Sequence, residues 1–519
     1  MSSGYYISIF VMIFLVACNG NEQATTTEEA SGEELAKIFC ASCHKFSEPA
    51  LFTKSTWADK ILPLMGPRLG IYSYKGIDYK YEKEDTFIKG WNVYPDEAMV
   101  SEAEWIRILE YYNQQAPINA PAPPEKQAIT IGLKHFKTVI PPRLKAEAPM
   151  ISLVKLDQLT SNLFVADGNQ GILYIINPQN EVINTLQLGN IPIHLRFDAG
   201  VSTDQRGMWI TPMGSMRPTN AQTGLLRYMY FNQKVDIYEP QYTIKKDLRR
   251  PVHSAFGDLN NDGKEDIVIS EFGYLIGELN CYENLGGFDL KKHTLRKQPG
   301  AIMTYIYDFD GDGLKDVIAL MSQGDEGIYI YYNQGNFEFK EEQILRFEAS
   351  YGSSGFELAD FNGDGYFDIL YTNGDDGDGI RVLKYYHGVR IFLNDKTNHF
   401  QETFFYPLHG AYKAIAWDYD LDGDLDIASV SFFADYKNAP EEGFVYFENI
   451  GNMKFKPYTF NEVEIGRWMT FDKGDIDKDG DVDLILANFS IGPREEDQKF
   501  IKKWVNEGPD YLILENTIR

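Results

Sequence analysis

Short runs of aliphatic and aromatic residues, each about the length of a strand, recur along the chain beyond residue 130. Runs such as "DIVIS" and "DILYT" are rich in β-branched side chains and follow glycine-containing acidic turns, which is typical of β-strands. Helical patterns are rare in that part of the chain. Before residue 130, "SGEELAKIF" (31–39) has the spacing of an amphipathic helix, and residues 101–115 begin at a Ser101/Glu104 capping box. The pattern predicts a small all-α region followed by a large all-β region.

An acidic motif, D-x-[DN]-x-D-G-x-x-D, occurs five times and joins pairs of these strand-like runs. Its oxygens alternate in a tight loop and can converge on a hard cation, for which calcium is the first choice. An EF-hand is excluded because position twelve is not Glu and a strand follows each motif. A solvated acidic turn is the alternative, but five copies favour about five calcium ions. The predicted ligands are Asp258, Asn260, Asp262, Asp266, Asp308, Asp310, Asp312, Asp316, Asp360, Asn362, Asp364, Asp368, Asp418, Asp420, Asp422, Asp426, Asp475, Asp477, Asp479 and Asp483.

Two repeated features predict a β-propeller. The motifs are spaced by 50, 52, 58 and 57 residues, a period typical of such folds. Each unit also has an aromatic or aliphatic strand that closes on Asn, and the first two units lack the acidic motif. These seven residues are Asn177, Asn232, Asn284, Asn333, Asn394, Asn449 and Asn516. The seventh unit lacks a strand after its Asn, whereas "LKHFKTVI" (133–140) precedes the first unit unpaired. Pairing the two would remove both sheet edges, so we predict a seven-bladed propeller over residues 130–519, closed by an N-terminal outer strand.

The repeated stretch typified by "FGDLNNDGKEDIVIS" resembles the FG-GAP/VCBS repeats of integrin-α-like propellers. The resemblance extends over about residues 130–519 and implies calcium in the strand-connecting loops. It implies no particular reaction, because one fold can carry many functions. The expected role of the calcium is therefore structural: the ions would fix the blades.

A C-x-x-C-H motif, formed by Cys40, Cys43 and His44, lies in the all-α region. Two such thiols can attack the two vinyl groups of one haem, and the adjacent histidine can then bind the iron. A thioredoxin-like pair is the alternative. Residues 33–117 resemble a small c-type cytochrome domain, and the Pro/Ala-rich residues 118–129 would form an extended linker to the propeller.

The sixth iron ligand has two candidates, Met65 and Met99. Met99 lies just before the last helix of the region, where ordinary small cytochromes carry their methionine. Met65 lies in "ILPLMGPRLG", which is similar to a stretch of cytochrome segments that precede propellers of this kind. We predict Met65 and keep Met99 as the alternative. A Met/His pair would raise the reduction potential relative to two histidines.

The first 18 residues have the features of an export signal. The apolar run "ISIFVMIFLVAC" is too short for a comfortable membrane span and ends at Cys18. Residues 15–18 resemble a bacterial lipobox, which implies diacylglycerol on Cys18, although no Lys or Arg precedes the apolar run. An ordinary signal peptide is the alternative. Residues 19–32 would be a flexible tether, and the predicted location is the bacterial cell envelope, with a lipid anchor in the outer membrane.

Charge and cysteine content narrow the classes of partner and fold. The chain carries 76 acidic and 49 basic residues and a net charge of −27, which argues against a nucleic-acid partner because such proteins need a basic face. Of its four cysteines, Cys18, Cys40 and Cys43 have the roles above and only Cys281 remains. A disulfide framework is therefore not expected.

The face of the propeller away from the acidic motifs is the predicted ligand face. Its loops between the second and third strands are long in the last three blades, and long loops on a rigid scaffold often bind ligands. The segments that enter the inner strands open on the same face. The alternative is that their side chains only cap and pack the blades. The candidate residues are His194, His253, Tyr386, His387, Lys413, Arg467 and Trp468.

These features predict an exported haem c lipoprotein that transfers electrons through one covalent haem. Its calcium-stabilised propeller would bind a redox partner or an extracellular ligand, either protein or glycan. One alternative is an oxidoreductase that oxidises a sugar or alcohol with the haem as acceptor, although no second cofactor motif or catalytic motif is visible. Another is an adhesion or glycan-binding module with the haem as a sensor. Whether the protein is an enzyme stays open.

Overall fold

The structure, a computed structural model, describes most of the chain beyond its first 29 residues. The described ranges are 30–82, 85–145, 147–198, 206–232, 237–377, 382–492 and 498–519. The predicted signal, Cys18 and most of the predicted tether lie outside them. No helix in these ranges is long and apolar enough to cross a membrane.

A small helical region precedes the β-structure. Its elements are α1 (Gly32–Phe39), α2 (Lys54–Thr56), α3 (Leu62–Arg68) and α4 (Glu102–Gln115), a π-helical turn at Trp57–Ile61, 3-10 turns at Cys40–Ser42, Pro49–Leu51 and Thr86–Ile88, and a hairpin of β1 (Ser73–Tyr74) and β2 (Ile77–Asp78). Both α1 and α4 begin at a Ser/Glu capping box, as predicted for α4. Trp105 and Ile108 of α4 are fully buried and pack in one apolar cluster with Leu35 of α1.

The rest of the chain forms seven sheets, the blades of a propeller. Two strands come first, β3 (Thr130–Ile131) and β4 (Phe136–Val139). Blade 1 contains β5 (Ile151–Leu156), β6 (Leu163–Asp167), β7 (Ile172–Ile176) and β8 (Val182–Gln187). Blade 2 contains β9 (Pro192–Phe197), β10 (Gly207–Pro212), β11 (Gly224–Asn232) and β12 (Ile237–Leu248). Blade 3 contains β13 (Pro251–Gly257), β14 (Asp266–Glu271), β15 (Glu278–Gly286) and β16 (Asp289–Arg296).

The last four blades repeat this order. Blade 4 contains β17 (Ala301–Tyr307), β18 (Asp316–Met321), β19 (Gly327–Asn333) and β20 (Phe339–Arg346). Blade 5 contains β21 (Ser353–Ala359), β22 (Asp368–Asn373), β23 (Gly388–Asn394) and β24 (Phe400–Pro407). Blade 6 contains β25 (Ala411–Trp417), β26 (Asp426–Ser431), β27 (Phe444–Asn449) and β28 (Phe455–Thr459), with 3-10 turns at Pro440–Gly443 and Val463–Ile465. Blade 7 contains β29 (Trp468–Gly474), β30 (Asp483–Asn488), α5 (Gln498–Asn506) and β31 (Tyr511–Asn516).

The ring closes as the sequence predicted. Strand β4 pairs antiparallel with β31 as the outer strand of blade 7, with Val139 opposite Ile513 and Phe136 opposite Asn516. This pairing gives the seventh sheet its fourth strand and leaves β31 without a free edge.

The segment before the closing strand is more firmly held than a free linker. Strand β3 adds a fifth, parallel strand to blade 6, with Thr130 opposite Tyr458. Further back, the Lys126 ammonium donates to the carbonyl of Pro407 at 3.0 Å, and the Tyr406 hydroxyl donates to the carbonyl of Gln127 at 2.7 Å. The end of the predicted linker therefore follows the outer strands of blades 5 and 6.

The inner strands share one irregularity that controls what lines the central channel. In β5, β9, β13, β17, β21, β25 and β29 the pairing shifts between the first and third residues. The third and fifth residues of each inner strand follow this bulge. Because side chains alternate along a strand, these two residues point to the same side. The third residues are Leu153, His194, His253, Met303, Gly355, Lys413 and Thr470, and the fifth are Lys155, Arg196, Ala255, Tyr305, Glu357, Ile415 and Asp472.

A substitution of Phe136 tests whether β4 stabilises the closed ring. It is half-buried on β4 and packs against Tyr419 and Tyr446 with ring centroids 6.2 and 5.6 Å apart. We expect Phe136→Ala to lower the free energy of unfolding by about 1–3 kcal/mol, measured by urea unfolding, because it removes apolar contacts between β4 and blade 6. The control, Lys137→Ala, removes only an exposed ion pair with Glu515 and should have a much smaller effect. Equal losses in the two variants would contradict a stabilising role for the contacts of Phe136 with Tyr419 and Tyr446.

Candidate functional site

The five acidic motifs form the turns between the first and second strands of blades 3 to 7. We call the side of the ring that carries these turns the motif face, and the other side the opposite face. The first Asp of each motif shapes its own turn: Asp308 accepts a hydrogen bond from the amide of Gly313 at 3.0 Å. Gly313 has φ +89° and open space around its Cβ position, so the backbone conformation, rather than crowding, favours glycine there.

In three of the turns, acidic side chains come close enough to share a cation. One oxygen from each of three carboxylates lies within 4.8 Å of the others. These groups are Asp308, Asp310 and Asp316 in blade 4, Asp418, Asp420 and Asp422 in blade 6, and Asp475, Asp477 and Asp483 in blade 7. The turns of blades 3 and 5 carry Asn260 and Asn362 at the third position, so an amide oxygen takes the place of one carboxylate.

The ninth Asp of each motif is fully buried and connects the turn to the rest of its blade. In blade 4, one oxygen of Asp316 accepts from the amide of Phe309 and the other from the amide of Asn333, both at 2.8 Å. The Asn333 side chain donates in return to the carbonyl of Lys315 at 2.9 Å. The other four motifs repeat the two amide bonds and the returning Asn bond. The Asn that marks each unit in the sequence is therefore the partner of the ninth Asp.

The buried carboxylates favour a positive neighbour. Burial, with smaller contributions from nearby carboxylates, raises the pKa of Asp316 to about 6 and the pKa values of Asp426 and Asp483 to about 7. At the seventh position of the last motif, one oxygen of Asp481 is buried and accepts no hydrogen bond in the described part of the chain. An acceptor without a donor and a cluster of carboxylates both suit an oxygen-ligated cation such as calcium.

The C-x-x-C-H residues follow α1 directly. Cys40 begins a 3-10 turn, and neither Cys40 nor Cys43 forms a disulfide. Cys43 is exposed, whereas Cys40 is half-buried and burial raises the pKa of its thiol to about 11. Nδ1 of His44 lies 2.7 Å from the carbonyl oxygen of Lys45, so this nitrogen carries the proton and Nε2 is the one suited to a metal.

The two methionine candidates differ in their surroundings. Met65 is half-buried and packs against the same apolar cluster as Cys40. Met99 is 47% exposed, and its amide donates to the carbonyl of Leu69 at 2.9 Å. Burial therefore favours Met65 as the methionine that shares the environment of the C-x-x-C-H motif.

The helical region lies against the opposite face of the propeller. Lys45, next to His44, forms an ion pair with Glu348 at 2.9 Å, between blades 4 and 5. Asn220 of blade 2 donates to Asp85 at 2.8 Å. Trp91 contacts cations from both sides of blade 3, with the Arg249 guanidinium 4.9 Å and the Lys297 ammonium 4.6 Å from its ring. The region thus contacts blades 2 to 5 on the face predicted to bind ligands.

The seven candidates for the ligand face fall into two groups. His194, His253 and Lys413 are third residues of inner strands and are half-buried along the channel. The other four are held in the loops and blade ends of the opposite face. Arg467 is 1% exposed and donates to the carbonyl of Phe432 at 3.0 Å, while Trp468 is fully buried and donates to the carbonyl of Val463 at 2.9 Å.

The remaining two candidates pack within blade 5 and against blade 6. Tyr386 is half-buried, stacks on Tyr351 with centroids 5.0 Å apart and donates to the carbonyl of Ser350 at 3.2 Å. His387 is fully buried and stacks on His409 at 5.2 Å.

Sequence reasoning missed the rest of the channel lining. Lys155, Tyr305, Glu357 and Asp472 are fifth residues of inner strands. In blades 3 to 7 a usable signal exists, because the third and fifth residues always stand five and three positions before the first Asp of the motif. The residue types vary between blades, so spacing from the motif was the only available indication.

Comparison with known protein families agrees with the repeat. A family model described as FG-GAP-like repeat matches residues 308–371. No curated protein sequence matches the chain. Among solved structures, BBS1N in complex with ARL6DN is 10% identical, with a TM-score of 0.45, and the match covers 74% of this chain and 97% of that one.

Two further solved structures are of comparable or lower similarity. A Saccharomyces cerevisiae complex of Dbp5 with Nup159, Gle1, IP6 and ADP contains a chain that is 12% identical, with a TM-score of 0.43 and coverage of 76% and 97%. A luciferin-regenerating enzyme is 11% identical, with a TM-score of 0.35 and coverage of 57% and 88%. None of these likenesses carries a functional argument.

The motif turns generate a prediction on calcium content. We expect about five calcium ions per chain by elemental analysis after dialysis, and about one fewer in Asp310→Ala, because that substitution removes a ligand from the turn of blade 4. Asp289→Ala, which removes an exposed carboxylate outside the motifs, should leave the content unchanged. Equal calcium content in the two variants would contradict the assignment of Asp310.

A second prediction concerns pH. The folded pKa values of Asp316, Asp426 and Asp483 lie above the ordinary value of 3.8, so without calcium these groups stabilise the fold while protonated, and that stability is lost as pH rises through about 6 to 7. Calcium bound in these turns would replace the protons. We therefore expect calcium, relative to a chelator, to raise the melting temperature more at about pH 7.5 than at about pH 5. An equal or larger shift at the lower pH would contradict these carboxylates as the calcium ligands.

Proposed function

We propose that this protein is an exported lipoprotein that carries one covalent haem and transfers electrons through it, while its propeller binds a redox partner or an extracellular ligand. The observation that carries the haem proposal is the arrangement around Cys40, Cys43 and His44. Two thiols without a disulfide stand beside a histidine whose Nδ1 lies at a carbonyl, and Cys40 and the half-buried Met65 pack against one apolar cluster.

The residues present fit a c-type haem. Cys40 and Cys43 would hold it through thioether bonds, and Nε2 of His44 and the sulfur of Met65 would bind its iron. When bound, the haem supplies one-electron transfer. The protein's own side chains provide an apolar, aromatic environment. Trp57 is 3% exposed, and the centroids of its ring and the Tyr112 ring are 4.2 Å apart. The Tyr112 hydroxyl donates to the carbonyl of Ser47 at 2.9 Å. Such burial excludes water and lowers the local dielectric, which tunes a redox potential.

The propeller is the binding part of this proposal. FG-GAP-like repeats on a seven-bladed propeller are consistent with a binding or adhesion-type role. Calcium in the motif turns would stabilise the blades rather than take part in chemistry. The ion pair of Lys45 with Glu348 brings the C-x-x-C-H segment beside the propeller, so a partner held at the opposite face would be near the redox centre.

The lipid anchor and the location in the bacterial envelope rest on the sequence of residues 1–18, where Cys18 follows an apolar run. They support a redox role, since c-type haem is attached after export. The partner class proposed here is a protein or glycan outside the cytoplasm, and the acidic net charge of −27 disfavours nucleic acid.

An absorption spectrum tests the haem directly. We expect purified Cys18→Ser protein, made in a host competent for c-type haem attachment, to show a sharp low-spin spectrum after dithionite reduction and a haem-stained band on a denaturing gel. The Cys40→Ser/Cys43→Ser double variant should lose the stained band. If the unmodified motif carries no haem, the electron-transfer proposal falls and the propeller remains as a binding module.

The reduction potential of the haem would distinguish Met65 from Met99 as the iron ligand. We expect Met65→His to lower the reduction potential, because a Met/His pair has a higher potential than two histidines. Met99→His, at a more exposed position in the same region, is the matched control and should leave the potential unchanged. The opposite pattern in potentiometric titration would assign Met99 as the ligand.

A further inference from the structure

Two histidines meet inside the propeller channel. His194 and His253 are the third residues of neighbouring inner strands, and their ring centroids are 4.3 Å apart. Nδ1 of His194 lies 3.1 Å from the Ser254 hydroxyl, which is also 3.0 Å from the Thr211 hydroxyl. Nδ1 of His253 is buried and has no hydrogen-bond partner in the described part of the chain. A buried ring nitrogen without a partner is costly, so the pair is incompletely satisfied by the protein itself.

A lysine without a carboxylate partner lies at the same level of the channel. Lys413 is the third residue of β25, and its ammonium donates to the carbonyl of Phe471 at 2.7 Å and to the Thr470 hydroxyl at 3.5 Å. Within the described residues no carboxylate lies at ion-pair distance from Lys413, whereas Lys155 pairs with Asp472 at 3.2 Å. A sheltered cation whose hydrogen bonds go only to neutral acceptors is less well stabilised than one in a direct ion pair.

The charges around the channel make its histidine side the part best suited to an anion. Burial and Lys413 lower the pKa of His253 to about 4, and burial, His253 and the nearby cations lower the pKa of His194 well below its usual value, so both rings are neutral near pH 7. The charged and titratable groups that face them or line the channel nearby are Lys155, Arg196, Tyr305, Glu357, Lys413, Asp472 and Lys473.

Three of these groups already have partners that limit their effect on the histidines. Arg196 pairs with Glu265 at 2.7 Å. Asp472 accepts from the amide of Leu156 as well as from Lys155, and Glu357 accepts from the amide of Ala416 at 2.7 Å. The three lysines Lys155, Lys413 and Lys473 outnumber the two carboxylates Glu357 and Asp472, which also act on Lys413, so one positive charge remains near the two neutral rings.

The three side chains of this cluster are not fully enclosed, and the inner strands that carry them end at the motif face. His194, His253 and Lys413 each keep part of their surface accessible. The last residues of β17 and β25, Tyr307 and Trp417, are 46% and 42% exposed at that end. The helical region contacts blades 2 to 5 on the opposite face, so a small ligand would have its clearest route from the motif face.

We propose that the channel between His194, His253 and Lys413 binds a small anion with oxygen acceptors, of the carboxylate or phosphate class. Lys413 supplies the counter-charge, and His253, whose buried Nδ1 has no hydrogen-bond partner in the described part of the chain, takes up a proton as the anion binds and donates to it. The site deepens the proposed role of the propeller in ligand binding, and it needs neither the haem nor ions in the motif turns.

Calorimetric titration of the full protein with inorganic phosphate and, separately, with succinate tests this site. Each titration is run near pH 6.5 in two buffers that differ in ionisation enthalpy, so that proton uptake is measured together with affinity. We expect saturable binding of at least one of the two anions with net proton uptake that decreases towards pH 8. Binding of phosphate alone would identify a tetrahedral oxyanion site, and binding of succinate alone a carboxylate site.

Variants separate the site from nonspecific charge effects. Lys413→Met should weaken binding by about tenfold or more, and it should not destabilise the fold, because it removes a sheltered charge. His253→Gln keeps polar groups but cannot titrate, so it should abolish most of the proton uptake. The matched controls Lys340→Met and His399→Gln replace exposed residues on blades 4 and 5 and should bind like the unmodified protein.

Three results would overturn the proposal: no saturable binding of either anion, equal affinity in Lys413→Met, or proton uptake that persists in His253→Gln. Because the titration does not depend on haem content, its failure would leave the absorption test of the redox proposal unaffected.

Discussion

A buried aspartate that accepts two main-chain amides is the interaction on which the propeller's repeating geometry depends. In each of blades 3 to 7, the ninth Asp joins the start of the turn to the end of the third strand. Each of these amides would otherwise be a buried donor without an acceptor, at a cost of about 1–3 kcal/mol. The same bonds fix the conformation of the turn. The turn then orients the side-chain oxygens of the first, third and fifth residues of the motif.

Much of the fold could be predicted because its signals are local. In blades 3 to 7 the Asn near the end of the third strand bonds to the residue before the ninth Asp, so the two occur together there, and counting the Asn in all units gave seven. The unpaired strand at 133–140 was visible because a seventh outer strand was missing. Strand β3 was not visible, since two residues that pair with Tyr458 and Thr459 have no periodicity of their own. Helix α5 was also missed. It lies in the long segment between the second and third strands of blade 7, where a ligand-binding loop was expected, and its Trp504 packs against Tyr436 of blade 6.

The candidate sites were predictable to different degrees for a similar reason. The motif turns and C-x-x-C-H carry their chemistry in consecutive residues, so the sequence names their side chains directly. The channel site is assembled from single residues of separate blades, and only the register after the bulge brings them together. Of the seven residues chosen for the ligand face, His194, His253 and Lys413 line the channel, while Arg467 and Trp468 are buried in packing that the chain pattern alone did not distinguish from binding.

The pairing of β4 with β31 also determines when the ring can become stable. The His135 carbonyl accepts from the Thr517 hydroxyl across 382 positions of sequence. During synthesis or export, blades 1 to 6 can form from neighbouring hairpins as they emerge, but blade 7 must wait for residues 511–516 to reach a strand made long before. Native contacts of such high contact order form slowly. Until then, β4 and the edge of blade 1 lack their native neighbours, so the nascent protein passes through an interval in which its least protected edge is exposed to other chains.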